Sequence, residues 1–198
     1  MTIDLERNYT AMKKTWTVAD SVTVIRIIGT LCLIFLQPLS AVFYVFYTIS
    51  GLSDALDGFI ARKTGTSGDF GAKLDSSADL LFYSVMIIKI MPFLIKTLSR
   101  DVWYIAFAAL FLRLAAYATA AVKYRKFSAM HTYMNKLTGM AVFLIPYALQ
   151  LPFAVLYCKI AACIGVIASL EELMIHVIRP SYNADIKFIF MMKEKEPQ

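Results

Sequence analysis

The sequence predicts an all-α, polytopic membrane protein on three observations. Of its 198 residues, 59% are apolar and only 17% charged, with a mean hydropathy of +0.63, far from the balance of a soluble domain. The apolar residues gather into six runs, each about long enough as a helix to cross a hydrocarbon core of roughly 30 Å. The basic residues gather in alternate connections between those runs.

Residues 1–19 are polar and mildly amphipathic, with Ile3, Leu5, Met12, Trp16 and Val18 as their apolar members. They predict an amphipathic helix lying on the membrane surface. The continuous apolar core of a cleavable signal is missing. Six transmembrane helices are then expected at Ser21–Gln37, Ala41–Ile60, Leu80–Leu98, Val102–Val122, Leu137–Leu151 and Phe153–Ile178. Residues 180–198 form a polar tail. With no internal repeat or low-complexity segment, the whole chain, 1–198, reads as one membrane domain.

Arg7, Lys13 and Lys14 precede the first span, and Arg62, Lys63 and Lys73 lie between the second and third. Lys123, Arg125, Lys126 and Lys136 lie between the fourth and fifth, and Arg179, Lys187, Lys193 and Lys195 follow the sixth. The alternate connections carry only Lys96, Arg100 and Lys159. By the positive-inside bias, both termini and the 64–68 turn face the cytoplasm, in a bacterial or archaeal cell membrane. The formal charge of +6 therefore predicts attraction to anionic lipid. No basic groove with interleaved aromatics points to nucleic acid. Cys32, Cys158 and Cys163 fall inside apolar spans without metal-ligand spacing, which predicts small buried side chains.

The stretch DALDGFIARKTGTSGDFGAKLDSSAD, residues 54–79, concentrates acid in an otherwise apolar chain. Thr64–Gly68 carries glycines at 65 and 68 and predicts a turn joining two antiparallel helices. Counted from residue 66, Asp57 and Asp75 lie nine residues to either side, and Asp54 and Asp79 lie twelve and thirteen away. Steps of three and four residues keep each pair on one helix face, so four carboxylates meet at matching depths. Asp69 is expected to cap the second helix. Gly58, Ala61 and Gly71 lie on or beside those faces, where small side chains admit a backbone or a ligand.

Four facing carboxylates near hydrocarbon demand counter-charge. Two divalent cations would balance them, and an oxygen-only donor set suits Mg²⁺ or Mn²⁺. Such a pair can bridge a diphosphate, and Arg62 can add positive charge to the same phosphates.

Asp54, Asp57, Gly58, Ala61, Arg62, Gly71, Asp75 and Asp79 match D-x2-D-G-x2-A-R-x8-G-x3-D-x3-D throughout. By that pattern the chain resembles the CDP-alcohol phosphatidyltransferases. Thr23 and Arg26 resemble the family's L-T-x2-R segment, with Asp20 where asparagine is common and Ala19 where proline is common. The resemblance implies transfer of a phosphatidyl group from CDP-diacylglycerol to an alcohol, with release of CMP. It implies metal binding by Asp54, Asp57 and Asp75, with Asp79 as a shared ligand or as the general base. It also assigns Thr23, Arg26, Asp57, Gly58, Ala61, Arg62 and Gly71 to CDP-diacylglycerol, and implies a homodimer.

The acceptor alcohol is read elsewhere. Lys123, Arg125 and Lys126 end the fourth span, and Lys136 with Thr138 opens the fifth, where a phosphorylated alcohol could be gripped. Arg113, about ten residues inside the fourth span, needs an internal partner or an acceptor phosphate. Glu171 and Glu172 could supply that partner, but bracing Lys136 is the preferred role for them. His131 and His176 read as polar residues of the membrane interface. Lys136 and Thr138 resemble glycerophosphate-using members of the family. LDSSAD, residues 74–79, resembles serine-using ones but lacks their following S-F-G. Glycerol 3-phosphate is the expected acceptor, with serine and inositol phosphate as alternatives. An ion or proton transporter is the rival class; it predicts acids spread through the membrane depth.

Overall fold

The computed structural model describes residues 18–64, 69–125 and 132–179, and within them the side chains other than those of 18–20, 55–64, 69, 70, 72 and 73. The expected surface helix (but for residues 18 and 19) and the tail, along with Arg7, Lys13, Lys14, Lys126, His131, Lys187, Lys193 and Lys195, lie outside the described residues.

The described residues are helical: α1 Val18–Phe35, α2 Ala41–Thr64, α3 Asp69–Thr97, α4 Arg100–Tyr124, α5 Tyr133–Phe143, α6 Ile145–Ala148 and α7 Ala154–Ile178. Leu74–Thr97, Arg100–Tyr124 and Ala154–Ile178 are each long and apolar enough to cross a membrane, and Ser21–Phe35 is a shorter apolar helix. Ile28, Phe35, Ile88, Phe107, Phe111 and Val122 point outward, as lipid-facing residues of an all-α polytopic protein do. The protein is an integral membrane protein. Its helices form two compact units, Met1–Pro92 and Phe93–Gln198.

In the first unit α1 packs against α2 through very close backbones. A Cβ placed on Gly29 would lie 2.5 Å from Ser50 Oγ, so any larger residue at that crossing must displace the Ser50 hydroxyl. Pro38 ends the helical run, Leu39 takes a left-handed φ of 62°, and Ser40 Oγ accepts from the Phe43 amide at 3.2 Å to start α2. Phe43 stacks on Tyr47, and Tyr47 on Phe82, with centroids 6.0 and 5.7 Å apart, tying α2 to α3. Where water is scarce a hydroxyl must find a local acceptor: Thr30 donates to the Arg26 carbonyl at 2.8 Å and Ser53 to that of Ser50 at 2.7 Å.

In the second unit α7 buries a seam of Ala154, Cys158, Ala161, Gly165, Ala168 and Glu172. The alternating steps of four and three keep this seam on one face, and its small residues bring α4 close: a Cβ on Gly165 would sit 3.6 Å from that of Ala109. The expected span Leu137–Leu151 is instead two pieces, α5 and α6, which break at Leu144. Pro146 is the cause, because it has no amide to offer Val142 and its ring crowds that carbonyl. Of the cysteines, Cys158 is buried, Cys32 is half-buried and Cys163 is exposed on the outer surface, so the expectation of three buried thiols holds fully only for Cys158. His176, expected at the interface, is buried.

Candidate active site

Of the four carboxylates expected to meet, the described residues bring together three; the Asp57 side chain and residues 65–68 lie outside them. Asp54 on α2 and Asp75 and Asp79 on α3 each offer a carboxylate oxygen, and these three atoms lie within 4.8 Å of one another. Two helices supply them because steps of one helical turn repeat a face. The side chains of Asp57, Gly58, Ala61, Arg62, Lys63, Asp69 and Lys73 lie outside the described residues; Gly71, on the same helix as Asp75, is half-buried.

A third helix supplies the cation. Arg26 of α1 places Nη1 3.3 Å from Asp54 Oδ1, 3.0 Å from Asp75 Oδ1 and 2.5 Å from Asp79 Oδ1. It donates hydrogen bonds to both α3 carboxylates. The Arg26 side chain is 1% exposed, whereas the three carboxylates are 38–49% exposed. The guanidinium thus forms the floor of an acidic basin whose three carboxylates are partly exposed. Thr23, one turn earlier on α1, is buried beside it in sequence. These four side chains carry two more negative charges than positive ones. That residual charge and the all-oxygen donors fit a divalent cation of the Mg²⁺ or Mn²⁺ type.

The second unit holds a separate polar cluster. Arg113 Nη1 donates to Glu172 Oε2, and Nη2 donates to Asn135 Oδ1 at 2.8 Å. Asn135 Nδ2 closes the triangle by donating to Glu172 Oε2 at 2.8 Å. Glu172 is fully buried, and its other oxygen lies 3.8 Å from His176 Nε2, one turn along α7. The guanidinium inside the span therefore has the internal partner it needed. The role preferred for Glu172, bracing Lys136, is not the one it takes; the exposed Lys136 ammonium instead lies over the Tyr133 ring, 5.7 Å from its centroid. Arg113 wins the acid because it lies inside the span, where an unpaired charge costs more than it does at the exposed helix end.

Lys123 donates to the His176 and Val177 carbonyls at 2.9 and 2.8 Å, and the Tyr124 hydroxyl lies 2.7 Å from the Arg179 carbonyl, to which it donates its one proton, and 3.1 Å from that of His176. Both satisfy carbonyls that the end of α7 leaves open. Thr138 donates to the Met134 carbonyl at 2.8 Å. Asn135 was missed in the sequence; the signal for it was Arg113, whose five N–H groups demand more than one acceptor. An apolar cavity of about 250 Å³, lined by Trp103, Ala106, Val142 and Ala161 among others, includes no residue of either polar cluster.

Set against known proteins, residues 16–177 match the family model for CDP-alcohol phosphatidyltransferase. The chain belongs to the CDP-alcohol phosphatidyltransferase family. That match takes in α1–α6 and all but the last residue of α7, so the acidic basin and the Arg113 cluster both lie within the family's region. A CDP-diacylglycerol–serine O-phosphatidyltransferase of Methanocaldococcus jannaschii is 41% identical to this family member over 75 residues, 38% of this chain. The matched stretch spans about a third of that relative's length, 35%. No solved structure matches the chain.

Proposed function

We propose that this protein transfers a phosphatidyl group from CDP-diacylglycerol to the hydroxyl of a small polar alcohol, releasing CMP. The observation that carries the reading is the acidic basin of Asp54, Asp75 and Asp79, built by the family's own motif on two adjacent helices. With Asp57 from the same motif, these residues would hold two divalent ions, Mg²⁺ or Mn²⁺. When bound, such ions supply charge neutralisation for the diphosphate and for the departing phosphate.

The chain's own residues do the rest. The acceptor oxygen forms a bond to the phosphorus that carries diacylglycerol; the bond from that phosphorus to the CMP phosphate oxygen breaks, and the electron pair leaves with CMP. The hydroxyl proton passes to a carboxylate, for which Asp79 is the candidate. Thr23, Gly58, Ala61, Arg62 and Gly71 fit the nucleotide portion by their places in the motif. A basin at headgroup depth lets the acyl chains stay in lipid while the acceptor enters from water. We read the basin as cytoplasmic from the basic residues of the connections, and the enzyme as a homodimer from the family resemblance.

Serine is the acceptor best supported, by the serine-using relative and by LDSSAD at residues 74–79. Glycerol 3-phosphate is the second reading, which rests on Lys136, whose ammonium is exposed, and on Thr138. Arg113 and Lys123 are weaker candidates for gripping the acceptor because protein groups engage both.

The test is CMP release by the purified chain with CDP-diacylglycerol, Mg²⁺ or Mn²⁺, and L-serine, glycerol 3-phosphate or inositol phosphate offered in turn. Release is expected with one acceptor well above the others. Asp79→Asn is expected to lower turnover by about 10²-fold or more. Absence of release with every acceptor, or normal turnover by the Asp79 variant, would refute the reading.

A further inference from the structure

One nitrogen atom of Arg26 touches the same three carboxylates that are the candidate metal ligands. Its Nη1 lies 2.5–3.3 Å from the Oδ1 atoms of Asp54, Asp75 and Asp79. An ion touching all three carboxylates would need the space this nitrogen fills. The guanidinium cannot retreat into water, since its side chain is buried beneath the acids. It also cannot lose its charge by deprotonation in any ordinary pH range.

We propose that Arg26 is a resident counter-cation that competes with the divalent ions for the acidic basin and thereby sets how tightly they load. This rests on the metal reading above and adds to it a role for a residue of α1. Two consequences follow. Arg26 holds three like charges together on two helices, so the ligands are gathered before an ion arrives. An arriving ion also displaces Nη1 from the carboxylates, and the guanidinium, still charged and still at the floor of the basin, then attracts an anion that enters above it, of which the nucleotide's phosphates are the nearest in chemistry. Metal and nucleotide then favour each other's binding, and by linkage the coupling is reciprocal.

The test is Mn²⁺ binding to the full-length protein in detergent micelles, read as free Mn²⁺ by electron paramagnetic resonance, for the wild type, R26Q, R26K and D75N. Removing one positive charge from within about 4 Å of the ligands is expected to tighten Mn²⁺ binding about tenfold or more in R26Q. Without metal R26Q is expected to melt below the wild type, and Mn²⁺ is expected to raise its melting temperature by the larger amount. Lysine keeps the charge on a shorter, single-headed group, so R26K should fall between the two. Should R26Q not fold, R26K must still bind Mn²⁺ more tightly than the wild type.

Affinity in both Arg26 variants equal to or weaker than that of the wild type would overturn the competition. If at the same time the wild type binds Mn²⁺ and D75N does not, the metal reading survives alone. A wild type that takes up no Mn²⁺ removes both.

Discussion

At the scale of single residues, the side chain that most needs its partner is Glu172. It is fully buried, and its charge is met by Arg113 and by the Asn135 amide. Removing one partner of a buried ion pair leaves an uncompensated charge, which costs about 3–5 kcal/mol, whereas replacing both by apolar groups is often nearly neutral. Arg113→Met is therefore expected to lower thermal stability in detergent strongly, and Arg113→Met with Glu172→Met to recover most of the loss. A double variant no more stable than the single one would show that the pair is not coupled. Arg26 follows the opposite logic: it faces three acids that are partly open to solvent, and its removal is read more directly in metal affinity than in stability. The sequence showed that Arg113 needed a partner but did not choose between Glu171 and Glu172, since neighbouring positions on a helix differ in direction by about 100° and only the packed neighbour selects one.

At the scale of elements, the contact between α1 and α2 depends on a missing side chain. Ser50 is fully buried, and a methyl on Gly29 would meet its hydroxyl oxygen at 2.5 Å. Gly29→Ala is expected to destabilise the protein by about 1–3 kcal/mol through overpacking. Adding Ser50→Ala removes the obstructing atom, and its next nearest neighbour there is 3.9 Å away, so the double variant should regain most of the stability in a thermal melt. A Gly29→Ala protein that melts like the wild type would mean that the Ser50 hydroxyl turns aside, or the helices shift, at no cost. Because Arg26 is carried on the same helix, one turn from Gly29, this contact also holds the basin's cation in register with its acids. The helix boundaries at Ala41 and Ile178 were legible in the apolar runs. The break at Leu144 was legible in Pro146, but hydropathy over the whole run outweighed it in the expectation of one continuous span.

For the whole molecule, family membership and the membrane-spanning helices make the divalent ion the quantity to vary first. Stripping it with EDTA is expected to abolish CMP release, and Mg²⁺ or Mn²⁺ in excess to restore it; release undiminished under chelation would contradict the role given to the basin. What the sequence determined by itself was the class of protein and the meeting of Asp54, Asp75 and Asp79. Hydropathy is summed over local runs, and the distance of each aspartate from a turn is a local count along helices of known rise. What only the tertiary structure decided was which cations answer those acids. Arg26 finds Asp75 and Asp79 across 49 and 53 residues, and Arg113 finds Glu172 across 59. Those pairings depend on how each helix is rotated and how closely it crosses its neighbour. Packing at positions such as Gly29 and Gly165 fixes that, and no periodicity within a single helix encodes it.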